Sequence, residues 1–112
     1  MPNKLNILWT NADPVTAELM VLMYAHNTLK RKLWEQVRVI IWGATAKLVA
    51  EDVHIQHLIK DAQKDGVVFS ACVACAERLG VKGELKELSI EVKSWGAPLT
   101  ELMQHDEKLI TI

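Results

Sequence analysis

Two kinds of segment alternate along the chain: short apolar runs, and longer stretches in which apolar residues recur at helical spacing. The runs are rich in β-branched residues, which is typical of buried strands. They are "KLNILW" (Lys4–Trp9), "QVRVIIW" (36–42), "VVFSA" (67–71), "IEVKSW" (90–95) and "KLITI" (108–112). Strands that alternate with helices predict a parallel sheet covered on both faces, in a three-layer α/β/α architecture. The length of 112 residues predicts a single domain, residues 1–112.

Capping residues mark where the intervening helices begin and end. Asp13 is a good N-cap and Pro14 suits the first helical position, so the first helix should begin there. Residues 43–66 predict a turn followed by one helix, which Gly66 ends. Three shorter helical stretches are expected at residues 72–80, 83–89 and 97–106.

The first helix is apolar around most of its circumference. One face at helical spacing comprises Val15, Leu19, Leu22, His26 and Leu29, and apolar surface beyond it comes from Met20, Val21, Met23 and Tyr24. A helix that is apolar nearly all round is buried nearly all round. Because only one side of an outer helix can face its own sheet in so small a domain, we expect the other side to contact a second subunit of a homo-oligomer.

Charge and composition exclude several classes of partner. The formal net charge is −1, half of the residues are apolar, and the densest basic cluster, "LKRKLW", resembles the cationic end of a helix. No nucleic-acid partner is therefore expected. The longest uncharged apolar run, "LMVLMYA", is too short to span a bilayer, and no signal peptide is visible. We expect a cytoplasmic protein without a membrane partner.

Candidate ligand-binding residues follow the predicted strands, because ligands of open parallel sheets bind beyond the carboxyl ends of the strands. The candidate residues at those ends are Thr10, Asn11, Trp42, Gly43, Thr45, Lys47, Ser70, Trp95 and Gly96. Trp9 also falls at this edge. Each tryptophan taken singly is typical of core packing, whereas Trp9, Trp42 and Trp95 together indicate the wall of a crevice or a subunit interface.

The two cysteines, Cys72 and Cys75, are separated by two residues at the end of the third strand. Cys72 lies at the predicted strand-to-helix junction, where free backbone N–H groups favour a thiolate, so it is the candidate nucleophile. Cys75, one turn further, is either a second reactive thiol or, as we favour, a small buried residue. A structural zinc site needs four ligands and only one such pair exists, so we expect no metal. The chain also has no nucleotide-binding motif, and no cofactor is expected.

The segment "VVFSACVACAERLGV", with "VRVIIWGATAKLV" before it and "LSIEVKSWGAPLTELM" after it, resembles the DsrE/DsrF-like (YchN-like) proteins. The most specific feature is Cys72 at the end of the third strand with Gly80 eight positions on, and small Ala74 and Ala76 between them. The resemblance covers essentially the whole chain. It implies a DsrEFH-like fold with a five-stranded, mainly parallel sheet, assembly into homotrimers or hexamers, and a function in sulfur relay.

The resemblance therefore implies a sulfurtransferase-like carrier, in which Cys72 takes sulfane sulfur from a donor protein as a persulfide and passes it to an acceptor protein. Backbone N–H groups after Cys72 are expected to stabilise the anionic sulfur. Thr45 and Lys47 are candidates to assist, although ordinary loop and helix residues are the favoured interpretation of both. Two alternatives remain open. A thiol–disulfide redox protein would use Cys72 and Cys75 together, and a non-catalytic oligomeric module would bind a small ligand in the tryptophan-lined crevice.

Overall fold

A five-stranded sheet forms the centre of the molecule in the computed structural model, which describes residues 3–112. The strand order is β4-β3-β2-β1-β5, and all four neighbouring pairs are parallel. The strands are β1 (Lys4–Trp9), β2 (Gln36–Ile41), β3 (Val68–Cys72), β4 (Glu91–Lys93) and β5 (Leu109–Thr111). The α/β fold predicted from the alternating pattern is confirmed.

Helical segments fill the connections between the strands. The first connection contains α1 (Pro14–Thr16), a π-helical segment (Ala17–Leu22) and α2 (Met23–Lys30), which follow one another without a break. The second contains α3 (Thr45–Glu51) and α4 (Val53–Lys64), and the third α5 (Val73–Arg78) and α6 (Lys82–Glu87). The last connection contains α7 (Gly96–Gln104).

The direction of the connections explains which face of the sheet each helix covers. The chain moves one strand at a time from β1 to β4, and right-handed crossovers then place α1 to α6 on one face. The step from β4 back to β5 runs in the opposite direction, so α7 lies on the other face. The larger core accordingly joins Ile7, Val39 and Phe69 to the π-helical segment and to α2 through α6. The smaller core consists of Ile40, Trp95 and Leu102, with Leu8, Trp42 and Leu99 at its margin.

The first helix begins as predicted. The Asp13 side chain accepts hydrogen bonds from the backbone N–H groups of Val15 and Thr16, each at 2.9 Å, and Pro14 occupies the first turn. The buried face differs from the predicted one, since Val15 and Leu19 are exposed. The π-helical segment has more residues per turn than an α-helix and shifts the phase of the stripe. The residues that face the larger core are Ala17, Val21, Leu22 and Ala25.

Two predicted elements are shorter than expected. Residues 43–66 predict a turn followed by one helix, but the extended backbone of Asp52 (φ −98°, ψ 108°) separates α3 from α4. The Asp52 carboxylate caps α4 by accepting from the N–H of Ile55 at 3.0 Å. The fourth strand, predicted over 90–95, is limited to Glu91–Lys93 because the chain turns at Trp95 to begin α7.

Candidate functional site

Cys72 is the last residue of β3 and the N-cap residue of α5, so the predicted strand-to-helix position is confirmed. Its backbone is extended (φ −67°, ψ 120°), as a residue that ends a strand and precedes a helix must be. In the ladder it pairs with Lys93 of β4. Only 6% of the residue is exposed, which leaves its sulfur at the margin of the folded interior.

Cys75 lies one turn into α5 and is less buried than Cys72. The sequence interpretation of Cys75 as the small buried residue of the pair is therefore wrong. On this short helix Ala76 takes the fully buried position, and Cys75 instead points towards the turn that follows β2. The backbone N–H of Gly43 in that turn donates a hydrogen bond to Cys75 Sγ at 3.2 Å.

The surroundings of Cys75 control its ionisation. Partial burial raises the pKa of the Cys75 thiol above its ordinary value, because burial disfavours the thiolate. The hydrogen bond from the N–H of Gly43 opposes this rise by stabilising the anion, and the neighbouring Cys72 thiol adds to it. The Cys75 sulfur is therefore held beside Cys72 mainly as a neutral thiol at neutral pH.

Thr45 fixes the turn that carries Gly43. Its side chain is fully buried, and its hydroxyl oxygen lies 2.8 Å from the carbonyl oxygen of Trp9 and 3.1 Å from that of Trp42. The same oxygen accepts a hydrogen bond from the Trp42 N–H at 3.2 Å. Thr45 therefore joins the carboxyl ends of β1 and β2. Gly43 itself has a left-handed backbone (φ +75°), a conformation that glycine adopts without strain.

Ser70 and Trp95 contact each other in the smaller core. The indole Nε1–H of Trp95 donates to Ser70 Oγ at 2.8 Å, and Ser70 Oγ lies 2.8 Å from Glu91 Oε1. The Trp95 ring has the guanidinium of Arg38 4.8 Å and the Lys93 ammonium 4.7 Å from its centre, distances at which cation–π attraction acts.

The tryptophans do not form the wall of an open crevice in the described chain, residues 3–112. Trp9 is 0% and Trp95 is 1% exposed, whereas Trp42 is half-buried at the margin of the smaller core. The indole of Trp9 is also bound internally, since its Nε1–H donates to the carbonyl oxygen of Asn11 at 2.9 Å. Core packing, the interpretation favoured for each tryptophan singly, describes Trp9 and Trp95 correctly.

The remaining predicted residues are spread along the same edge of the sheet. The Thr10 hydroxyl donates to the carbonyl oxygen of Ile112 at 3.0 Å, and Asn11 Oδ1 accepts from the Asp13 N–H at 2.8 Å. Lys47 is exposed on α3, and Gly96 is the exposed first residue of α7. Among the predicted residues, the structure brings Cys72, Cys75 and the turn at Gly43 into one cluster.

Three charged residues around Trp95 were missed from the sequence: Arg38, Glu91 and Lys93. Polar residues stand at alternate positions of β2 and β4, and this pattern could have revealed them. It places the charges on the face of the sheet that α7 covers only in part. The approach of Arg38 and Lys93 to one indole ring depends on contacts between three separate strands and a helix. Local pattern alone does not contain that information.

Neither a cluster of metal ligands nor a membrane-spanning helix occurs within residues 3–112. That part of the chain has no group of three or more His, Cys, Asp or Glu side chains placed to hold a metal ion. It also has no helix long and apolar enough to cross a membrane.

The fold and the thiol define a class: a small, all-parallel α/β domain with a cysteine between the third strand and the helix that follows it. The sequence model of the DsrE/DsrF-like family matches residues 9–112, and the chain belongs to this family. The family resemblance noted in the sequence is thereby confirmed.

Solved structures agree with this assignment. A conserved protein of unknown function from Bacteroides thetaiotaomicron is 39% identical, with a TM-score of 0.96 over 98% of this chain and 95% of that one. The YchN protein of E. coli is 16% identical and superposes with a TM-score of 0.73, with full coverage of both chains. A protein of unknown function from Methanobacterium thermoautotrophicum, also 16% identical, gives a TM-score of 0.73 over 97% of this chain and 98% of that one. At 16% identity the likeness shows the fold alone. No curated protein matches the chain.

Proposed function

We propose that this protein is a sulfur carrier that holds sulfane sulfur as a persulfide on Cys72 and passes it to an acceptor thiol. Membership of the DsrE/DsrF-like family is consistent with sulfur relay at the level of the family. The observation that carries the proposal is the position of Cys72 as both the last residue of β3 and the N-cap of α5. The first N–H groups of a helix have no acceptor within it. The Cys72 side chain accepts none of them in the reduced protein, so they remain available to the outer sulfur of a persulfide.

The transfer consists of two displacements at sulfur. The Cys72 thiolate attacks the outer sulfur of a donor persulfide, a new S–S bond forms, and the donor thiolate leaves. Cys72 then carries one additional sulfur atom. An acceptor thiolate attacks that outer sulfur, and the Cys72 thiolate leaves in its turn. No electrons are gained or lost in the exchange, because one persulfide replaces another.

The burial of Cys72 supports a carrier rather than a freely reacting thiol. With 6% of the residue exposed, the outer sulfur of a persulfide would be the part nearest to solvent. Oxidation of a cysteine depends on its exposure as well as on its thiolate character. A recessed Cys72 would therefore protect the attached sulfur until a donor or acceptor protein docks at this edge of the sheet.

The proposal includes self-association into a homotrimer or hexamer through the first helix. Four apolar side chains of this helix are exposed: Val15 by 64%, Leu19 by 57%, Met20 by 38% and Met23 by 46%. Val53, at the start of the adjacent α4, is exposed by 61%. Large apolar side chains left exposed along one helix are the feature on which the proposed interface rests. The proposal also places the carrier in the cytoplasm, where thiols are kept reduced.

Sulfur loading of matched cysteine variants tests the carrier. Reduced Cys75→Ser protein is incubated with glutathione persulfide, desalted and analysed as an intact mass, followed by peptide mapping after alkylation. We expect the mass of one additional sulfur atom, located on the peptide that contains Cys72. Cys72→Ser is expected to gain none. Absence of sulfur from Cys72 in the folded Cys75→Ser variant would refute the carrier function.

A further inference from the structure

The carrier mechanism uses one cysteine, yet the structure holds a second thiol beside it. Cys75 lies in the first turn of α5, three residues after Cys72, a spacing that brings side chains to the same side of a helix. The Cys72 thiol is close enough to contribute to the raised pKa of Cys75. Its Sγ accepts the Gly43 N–H at 3.2 Å, so a backbone group from a different connection of the sheet fixes the sulfur in place. A cysteine that served only as small packing volume would not need such a donor.

The turn that holds Cys75 is itself well fixed. The Gly43 carbonyl oxygen accepts from the Ala46 N–H at 3.1 Å, and the buried Thr45 hydroxyl anchors the turn to the ends of β1 and β2. On the other side, the Cys75 carbonyl oxygen accepts from the Leu79 N–H at 3.0 Å, within the hydrogen bonding that ends α5. The Gly43 turn therefore holds the Cys75 sulfur, while hydrogen bonding within α5 holds the Cys75 backbone.

We propose that Cys75 resolves the Cys72 persulfide, so that the protein releases sulfide and retains a Cys72–Cys75 disulfide. This inference rests on the proposed carrier function and adds a second outcome to it. When an acceptor protein is present, the outer sulfur is passed on. When none is present, Cys75 removes it as sulfide.

The resolving step is balanced in atoms and electrons. The Cys75 thiolate attacks Cys72 Sγ, the inner sulfur of the persulfide; the Cys72–Cys75 bond forms, and the bond to the outer sulfur breaks. The outer sulfur leaves as hydrosulfide and takes up the electron pair of the broken bond. It is thereby reduced from the sulfane to the sulfide level, while the two cysteines are oxidised to a disulfide. A dithiol reductant from outside the protein is required to restore both thiols for another cycle.

The environment of Cys75 slows the resolving step at neutral pH. Burial raises the pKa of the Cys75 thiol, so only a small fraction is thiolate at neutral pH, and the thiolate is the form that attacks. The Cys72 persulfide is therefore resolved slowly at neutral pH. The same environment predicts that sulfide release accelerates as the pH rises towards the pKa of Cys75.

A single-turnover experiment tests the proposal on the intact protein. Reduced, desalted wild type, Cys75→Ser, Cys75→Ala and the double variant Cys72→Ser/Cys75→Ser are mixed with glutathione persulfide, without any other reductant. Sulfide is trapped and measured over time, and intact masses are recorded in parallel. The double variant gives the sulfide that the reagent releases by itself.

We expect wild type to release one equivalent of sulfide per chain above that blank and to lose the mass of two hydrogen atoms as the disulfide forms. Both Cys75 variants should release sulfide at the blank rate and retain the additional sulfur atom. Sulfide release by wild type should be faster at higher pH. A dithiol added afterwards should restore the reduced mass of wild type.

The outcomes separate the two proposals. If wild type keeps its persulfide as long as the Cys75 variants do, and no disulfide forms, the resolving role is refuted and the carrier function stands. If the Cys75 variants never gain sulfur on Cys72, the carrier function fails, and the resolving role fails with it. Wild type by itself reports both the disulfide and the released sulfide, so the test remains valid even if a Cys75 variant does not fold.

Discussion

The indole of Trp95 and the hydroxyl of Ser70 are joined by a 2.8 Å hydrogen bond between two fully buried side chains. The bond connects the start of α7 to β3 two residues before Cys72. It also lies on the face of the sheet that only α7 covers, where the core is small. On this face a polar contact therefore helps to hold the end of β3, and with it Cys72, in place. On the opposite face the larger apolar core does so.

Ser70→Ala is expected to destabilise the fold, because it leaves the buried Nε1–H of Trp95 without its acceptor. An unsatisfied buried donor costs about 1–3 kcal/mol in the free energy of unfolding. Urea denaturation followed by tryptophan fluorescence measures the change. Thr100→Ala, which removes an exposed hydroxyl bonded to the Gly96 carbonyl oxygen, is the matched control. Equal stabilities of the two variants would contradict the assigned role of the Ser70–Trp95 bond.

Charge introduced into the exposed apolar face of the first helix should dissociate the proposed oligomer. Met20→Glu or Met23→Glu places a carboxylate in a contact that excludes water, which is costly without a partner for the charge. Light scattering after gel filtration should show the mass fall to that of one chain. Met103→Glu, on α7 and 55% exposed, is the control and should leave the assembly unchanged. A wild type that is already monomeric at micromolar concentration would contradict the prediction.

Two aspartates cap helices, and their removal should have similar effects. Asp13 accepts from two N–H groups at the start of α1, and Asp52 accepts from the Ile55 N–H at the start of α4. Replacing either by alanine is expected to reduce the free energy of unfolding by about 1 kcal/mol. Asp61→Ala, an exposed substitution within α4, serves as the control. An unchanged denaturation midpoint for Asp52→Ala would mean that the interruption between α3 and α4 does not rely on this cap.

The ionisation of Cys75 predicts how its reactivity changes with pH. In the Cys72→Ser variant, burial still raises the pKa of Cys75, since burial is the largest cause of the shift. The alkylation rate should therefore rise at a more alkaline pH in the folded variant than in the same variant unfolded in urea. The folded state prefers the neutral Cys75 thiol. The contribution of this preference to the free energy of unfolding is present below the unfolded pKa and is lost as the pH rises through the folded pKa. Coincident folded and unfolded profiles would refute this assignment.

The features that the sequence predicted correctly depend on short-range signals. An apolar run marks strand β1, and a polar residue before proline marks the Asp13 cap. The end of an apolar run likewise predicts the position of Cys72. The features that it did not predict depend on contacts between distant segments. Cys75 is held by Gly43, 32 residues earlier, and Trp95 by Ser70, 25 residues earlier. The interruption at Asp52 was missed because apolar spacing continues on both sides of it.

The pairing of β1 with β5 has a consequence for synthesis on the ribosome. The Asn6 side chain bonds to the carbonyl oxygen of Lys108, 102 residues later, and Asn6 to Leu8 form the ladder with β5. A nascent chain can assemble β1 to β4 and the larger core while one edge of β1 is still open. An open strand edge is a template for unwanted pairing with other chains. Pairing with β5 therefore covers this edge of β1 once residues 109–111 have been translated.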